Sequence, residues 1–356
     1  MEYKYYPIFR TRNAELEALK HSDLQKLLPI FELTRSRITQ KDKEGSTAKN
    51  IEKILELKPE QPFILDFTTE EEFTNTEIRK FAQKNKGFDN WYNFCLSMKE
   101  KNDEIIPCLA LINNPNDSDL KAEFEKFLSA FNLVAIRLPL SVDSLIFNEK
   151  MFTLIEKILQ NFGRYRHQFL FILDFGYLSK VSFSEILFNA KDLINDFIRR
   201  NSLENNKFIL LSSSFPKSVS EITPKDFGNF PIREFELYKQ LKPLITNNHL
   251  IYGDYGGIHP LTYASYGGSW IPRIDIPYRE SYFFYKCRRD DGGYKNAARQ
   301  AVLQVYEKSL SSSLWGIQEI IKASEGNVTK KIPSFWISVR INLYLNNVFE
   351  VGVLDT

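Results

Sequence analysis

The chain has 356 residues, 43% of them hydrophobic, and 47 basic residues against 45 acidic ones leave a formal charge of +2. That length allows one large domain or two modest ones, and the near-neutral charge argues against a nucleic-acid binder held by bulk electrostatics, leaving only a local basic patch. No apolar segment approaches the roughly 20 residues of a membrane span, and the first ten residues lack a signal-peptide core, so a cytoplasmic protein is expected.

Eight short apolar runs recur in chain order, most of them stopping on a polar or charged residue. They are Tyr6 to Arg10, Leu28 to Glu32, Phe63 to Asp66, Cys108 to Asn113, Leu133 to Arg137, Leu170 to Asp174, Phe208 to Ser212 and Leu250 to Asp254. Segments with helical spacing separate them. Asn13 to Lys20 predicts a first helix, the stretch from Ile51 to Leu57 a second, and Asp119 to Phe131 a clean amphipathic one with Leu120, Phe124, Phe127, Leu128 and Phe131 on one face. Met151 to Phe162 and Phe183 to Ile198 repeat the pattern, and a short helix is expected near Glu236 to Leu244. Strand-length runs alternating with helices predict a (β/α)8 TIM-like barrel over residues 1–265.

After the eighth run the rhythm changes. Tyr282 to Cys287 reads as an added strand, and Ala297 to Leu310, Leu314 to Ala323 and Ser334 to Leu345 read as helices. Residues 266–356 are therefore expected to form an α-rich C-terminal extension packed on the barrel. The three cysteines, Cys95, Cys108 and Cys287, share no metal or redox spacing, and Cys108 reads as a small core residue. His21, His167 and His249 fall away from the expected strand ends, so no histidine-rich zinc site is expected.

In a parallel barrel the strand C-termini line one mouth, and Arg10, Glu32, Asp66, Arg137, Asp174 and Asp254 would stand there. Four carboxylates on one rim would suit general acid–base work or a divalent cation held by oxygen ligands. Arg10 and Arg137 would offset their charge or grip a small anionic ligand. A plain ring of salt bridges closing the barrel top is the competing reading. Within Gly253 to Pro260, Tyr255 would face a ligand and His259 would move a proton. Ser212 offers a hydroxyl to position a ligand, since no G-x-S-x-G elbow makes it a nucleophile. Arg273, between Pro272 and Pro277, would be presented to the mouth by a stiffened segment, and Arg340 would reach an acidic partner.

Tyr6-Pro7-Ile8-Phe9-Arg10 with Glu15, and Leu28-Pro29-Ile30-Phe31-Glu32-Leu33, resemble the start of the phage and bacterial "beta protein" family. Gly253-Asp254-Tyr255 with His259-Pro260, Arg273-Ile274-Asp275, and Trp336 with Arg340-Ile341-Asn342-Leu343 continue the resemblance in the same order. It implies a phage- or mobile-element-associated cytoplasmic protein engaged in phage–host conflict, such as antiphage defence, and carries no catalytic residue onto this chain. Two functions stay open. One is a hydrolase-like enzyme using the mouth carboxylates on a phosphorylated or nucleotide-like ligand. The other is a non-catalytic sensor that recognises a phage or toxin partner.

Overall fold

The computed structural model describes residues 3–58, 60–111, 117–140, 149–178, 182–245, 250–261 and 270–355. The end of the fourth apolar run and His249 lie outside them. In chain order the strands are β1 (Ile8–Arg10), β2 (Ile30–Leu33), β3 (Phe63–Phe67), β4 (Ile105–Pro107), β5 (Val134–Pro139), β6 (Phe169–Tyr177), β7 (Lys207–Ser213), β8 (Phe227–Pro231), β9 (Leu250–Asp254), β10 (Arg273–Tyr278) and β11 (Ser281–Lys286). The helices are α1 (Asn13–Lys20), α2 (Thr47–Leu57), α3 (Thr76–Phe81), α4 (Asp89–Lys99), α5 (Asp117–Ala130), α6 (Glu149–Asn161), α7 (Phe183–Asn201), α8 (Arg233–Leu241), α9 (Gly293–Glu307), α10 (Trp315–Ser324) and α11 (Pro333–Glu350).

These elements fall into two compact units, each built from separate stretches of chain. The first comprises Met1–Arg12, Leu24–Ser212 and Glu236–Tyr255; the second comprises Asn13–Asp23, Ser213–Phe235 and Gly256–Thr356.

In the first unit the expected single closed eight-stranded barrel is replaced by two four-stranded sheets, ordered β1-β2-β3-β4 and β5-β6-β7-β9. Among the described residues their edges meet through isolated parallel bridges, Tyr5↔Tyr252 and Cys108↔Ala135. Pro107 accounts for one side of the break, since it ends β4 and has no N–H to give toward β5, where the Leu109 N–H donates to the Ala135 carbonyl at 2.9 Å. At the Tyr252 edge the chains come very close. A Cβ on Gly253 would stand 2.7 Å from the Tyr6 carbonyl oxygen and 2.8 Å from Ile209 Cγ2, so only glycine fits there.

Within each sheet the apolar runs are buried on both faces, as parallel strands covered by helices require. α4 and α5 show how the helices close the core. Trp91 is fully buried and donates its indole N–H to the Cys108 carbonyl at 2.8 Å, while Phe124 and Phe127 are sealed beneath α5. Burial pushes the Cys95 and Cys108 thiols well up, which suits packing groups rather than nucleophiles.

The second unit departs from the expected α-rich extension, because it contains an antiparallel sheet ordered β10-β11-β8. Against it lie α9, α10 and α11, whose Ala297, Ala301, Ile317, Ile320, Trp336, Val339 and Leu343 share one core with Ile274 and Ile276 of β10. α1 joins this unit through α11, where Asn342 donates to the His21 carbonyl at 2.7 Å and accepts from the Gly316 N–H at 3.0 Å. α10 and α11 cross so closely that a Cβ on Gly316 would lie 2.8 Å from Leu343 Cγ and 3.0 Å from the Val339 carbonyl oxygen. Among the described residues no helix is long and apolar enough to cross a membrane.

Two outcomes test this packing. Gly316→Ala should lower stability by about 1–3 kcal/mol in chemical denaturation, because the added methyl overpacks the crossing. Glu123 of α5 is fully buried, with one oxygen accepting the Ala110 N–H at 2.6 Å and the other without a partner. Burial raises its carboxyl to about 8 from an ordinary 4.5, against the Ala110 N–H and Lys126, which lower it. Folding therefore takes up a proton, and this contribution is full below 4.5 and is lost as pH rises through about 8. Glu123→Gln should remove up to about 1.4 kcal/mol per pH unit of that slope, read from denaturation at several pH values.

Candidate functional site

Strand register brings the first unit's charges together. Arg10, Glu32 and Asp66 are direct partners across β1, β2 and β3. On the other sheet Asp174 lies opposite Pro139, two residues beyond Arg137, so Arg137 and Asp174 project to the same face. Arg137 is thus inside β5 rather than at its end, and its long side chain reaches forward.

The Arg137 guanidinium is the hub. Its Nη1 donates to Glu32 Oε2 at 2.8 Å and Asp66 Oδ2 at 2.9 Å. Its Nε donates to Asp174 Oδ2 at 2.9 Å, and Nη2 lies 2.7 Å from the same oxygen. Nη2 also lies 3.3 Å from the Tyr255 hydroxyl, which donates to Asp174 Oδ1 at 2.6 Å. Main-chain N–H groups of Phe67 and Gly176 complete Asp66 and Asp174, each at 2.8–2.9 Å. Arg10 donates its Nε to Glu32 Oε1 at 2.9 Å and its Nη2 to Glu70. Two guanidiniums therefore face four carboxylates.

Electrostatics divides these acids. Burial opposes ionisation of Glu32, yet Arg10 and Arg137 outweigh it and hold its carboxyl at about 2. Asp66 goes the other way: burial and the adjacent Glu32 raise it against the pull of Arg137. Burial also raises Glu70, whose side chain is 28% exposed at the rim of the cluster. The Tyr255 phenol is pushed well above its ordinary value by burial and by Asp174, so it stays a donor. The Arg137 side chain is 21% exposed, which leaves the hub within reach of solvent.

Arg10, Glu32, Asp66, Arg137, Asp174 and Tyr255 are thus gathered into one cluster. Asp254 is buried at the end of β9, where the Tyr5 hydroxyl lies 2.8 and 3.0 Å from its two oxygens. Ser212 sits beside Asp254 in the β7–β9 ladder, buried and with its hydroxyl unpartnered. His259 and Arg273 belong to the second unit. There the Leu261 N–H donates to His259 Nδ1 at 3.0 Å, and Arg273 pairs with Asp275. Sequence reasoning missed Glu70 and Tyr5. Glu70 lies in the polar segment after β3, and only its acidic neighbours Glu71 and Glu72 hinted at a role. Among the described residues no group of three histidines, cysteines or carboxylates is placed to hold a metal ion. Of the uses the four carboxylates would suit, holding a divalent cation would have to compete with the guanidiniums that already bind oxygens of Glu32, Asp66 and Asp174.

The chain belongs to the Beta protein family, whose match spans residues 5–350. "Protein beta" of Enterobacteria phage P4 is 28% identical to it over 358 residues, covering 98% of this chain and 94% of that protein. No solved structure matches.

Arg137→Met leaves Glu32, Asp66 and Asp174 without their shared cation. It should cost about 3–5 kcal/mol, the penalty of uncompensated buried charge. Adding Asp66→Asn to that variant should restore part of the loss in a denaturant melt, and strictly additive effects would show that the two residues do not interact.

Proposed function

We propose that this chain acts in phage–host conflict as a cytoplasmic ligand-recognising protein, with the Arg137 cluster as its recognition site. Family membership and the similarity to a phage P4 protein support the setting. The charge of the cluster carries the ligand class. Four carboxylates outnumber two guanidiniums, and the guanidiniums are already paired. A phosphorylated or nucleotide-like ligand would add negative charge to that excess. A ligand carrying an amine or guanidinium would relieve it and favour the ionised forms of Asp66 and Glu70, which burial disfavours. Such a cationic group belongs to a small molecule or to a basic side chain of a protein partner.

Binding suits this geometry better than hydrolysis, because each hub carboxylate is held in an ion pair that a hydrolytic acid or base would have to leave. Both oxygens of Glu32, Asp66 and Asp174 already accept hydrogen bonds. One observation favours an enzyme: Asp66 is raised by burial, the property a general acid needs. Its role would be to protonate a leaving group.

The test uses Glu70→Gln, which removes a rim carboxylate, and Tyr255→Phe, which removes the hydroxyl that donates to Asp174 and lies against Arg137. Calorimetry with agmatine and with AMP should give binding of agmatine alone, tightening as pH rises and weakening in Glu70→Gln. Binding of AMP alone would defeat the ligand class. In cells expressing the chain, plating of a phage panel should change, and Tyr255→Phe should blunt that change by more than its loss of folded protein accounts for. Plating identical with and without the chain would defeat the conflict role.

A further inference from the structure

We propose that the second unit carries a separate site for a small oxyanion, a phosphate or carboxylate group, gripped by the buried guanidinium of Arg340 and the more exposed one of Arg273.

The two arginines share a single carboxylate. Arg340 of α11 donates Nη1 to Asp275 Oδ2 at 2.7 Å. Arg273, two residues before Asp275 on β10 and on the same face, has its Nε 2.9 Å from Oδ1 and 3.1 Å from Oδ2 of that carboxylate. One negative charge thus serves two positive ones. The Arg340 side chain is only 4% exposed, and its Nε, buried, has no hydrogen-bond partner. Burial lowers its pKa from the ordinary value, and Arg273 adds to that effect against Asp275. What stands against the guanidinium plane is a neutral ring: Phe215 centres 3.7 Å from Arg340 Cζ and 5.6 Å from Arg273 Cζ.

This is an unusual place to leave a donor. An unmade hydrogen bond from a buried charged group costs more than most, and among the described residues the ion pairs of Arg340 and Arg273 hold one carboxylate for two guanidiniums, its Oδ1 also buried without a hydrogen-bond partner. An oxyanion accepts from planar guanidinium edges in fork geometry, which is what the uncommitted Nε of Arg340 offers. Arg273, 23% exposed, supplies the second cation and the approach from solvent. The sign is opposite to that of the Arg137 cluster, so the two sites would take different ligands.

Full-length protein is titrated with inorganic phosphate and with acetate, against chloride at matched ionic strength, reading the melting temperature and the Nε–H resonance of Arg340. Phosphate or acetate should raise the melting temperature more than chloride does and shift the Arg340 resonance. The preferred ion identifies the oxyanion class. Arg273→Gln should weaken binding about tenfold, the worth of one charge-assisted hydrogen bond. Asp275→Asn should tighten it, because the competing carboxylate charge is gone. Responses equal to chloride, or binding unchanged in Arg273→Gln, would overturn the proposal. Should Asp275→Asn fail to fold, the Arg273→Gln comparison still decides.

Discussion

A guanidinium cannot be taken from water into a strand-built interior alone, and the arrangement around Arg137 follows from that cost. Each buried ion loses several kcal/mol of hydration, which is recovered only if its partners are close, well aligned and themselves hydrogen-bonded. Arg137 meets the condition by binding three carboxylates from β2, β3 and β6, while Arg10 and two main-chain N–H groups satisfy the remaining oxygens. The register of β1, β2 and β3 is tied to this set, because Arg10, Glu32 and Asp66 must stand side by side for Glu32 to receive both arginines. A slip by one residue would turn all three to the opposite face.

Much of this was legible in the sequence, for a physical reason. A run of apolar residues ended by a charge describes a strand buried along its length and solvated or ion-paired where it stops. Seven of the eight runs overlap a strand. The fourth run begins at Cys108, one residue past β4, since Pro107 closes that ladder. The break of the barrel into two sheets was not legible, because spacing along the chain gives strand order but does not tell a full ladder from the isolated bridges that join the sheets at each edge. β8 was invisible for another reason: of Phe227 to Pro231 only Phe230 is buried, so no apolar run marks it. β10 contains Pro277 and Asp275, and reads as a connector until its hairpin partner β11 is paired with it.

The candidate site was legible residue by residue but not as a balance of charge. Strand-end logic brought Arg10, Glu32, Asp66 and Asp174 forward, and it counted Arg137 as one more rim charge. Which carboxylate each arginine serves depends on the reach of a side chain from inside β5 and on a loop residue, Glu70, that no strand pattern marks. Those choices decide the sign of the cluster, and the sign decides which ligands it tolerates.

The two units solve the same problem with opposite remainders. Around Arg137 and Arg10 the carboxylates are in excess, and the remainder can be relieved by protonation, since burial already raises Asp66 and Glu70. Around Arg340 and Arg273 the arginines are in excess, and that remainder has no equivalent relief, because a guanidinium does not give up its proton in a folded protein. The ring face of Phe215 offers only the modest attraction of a quadrupole. A cluster with surplus acid can therefore adjust to its surroundings by taking up protons, whereas a cluster with surplus arginine can be balanced only by an anion that comes from outside it.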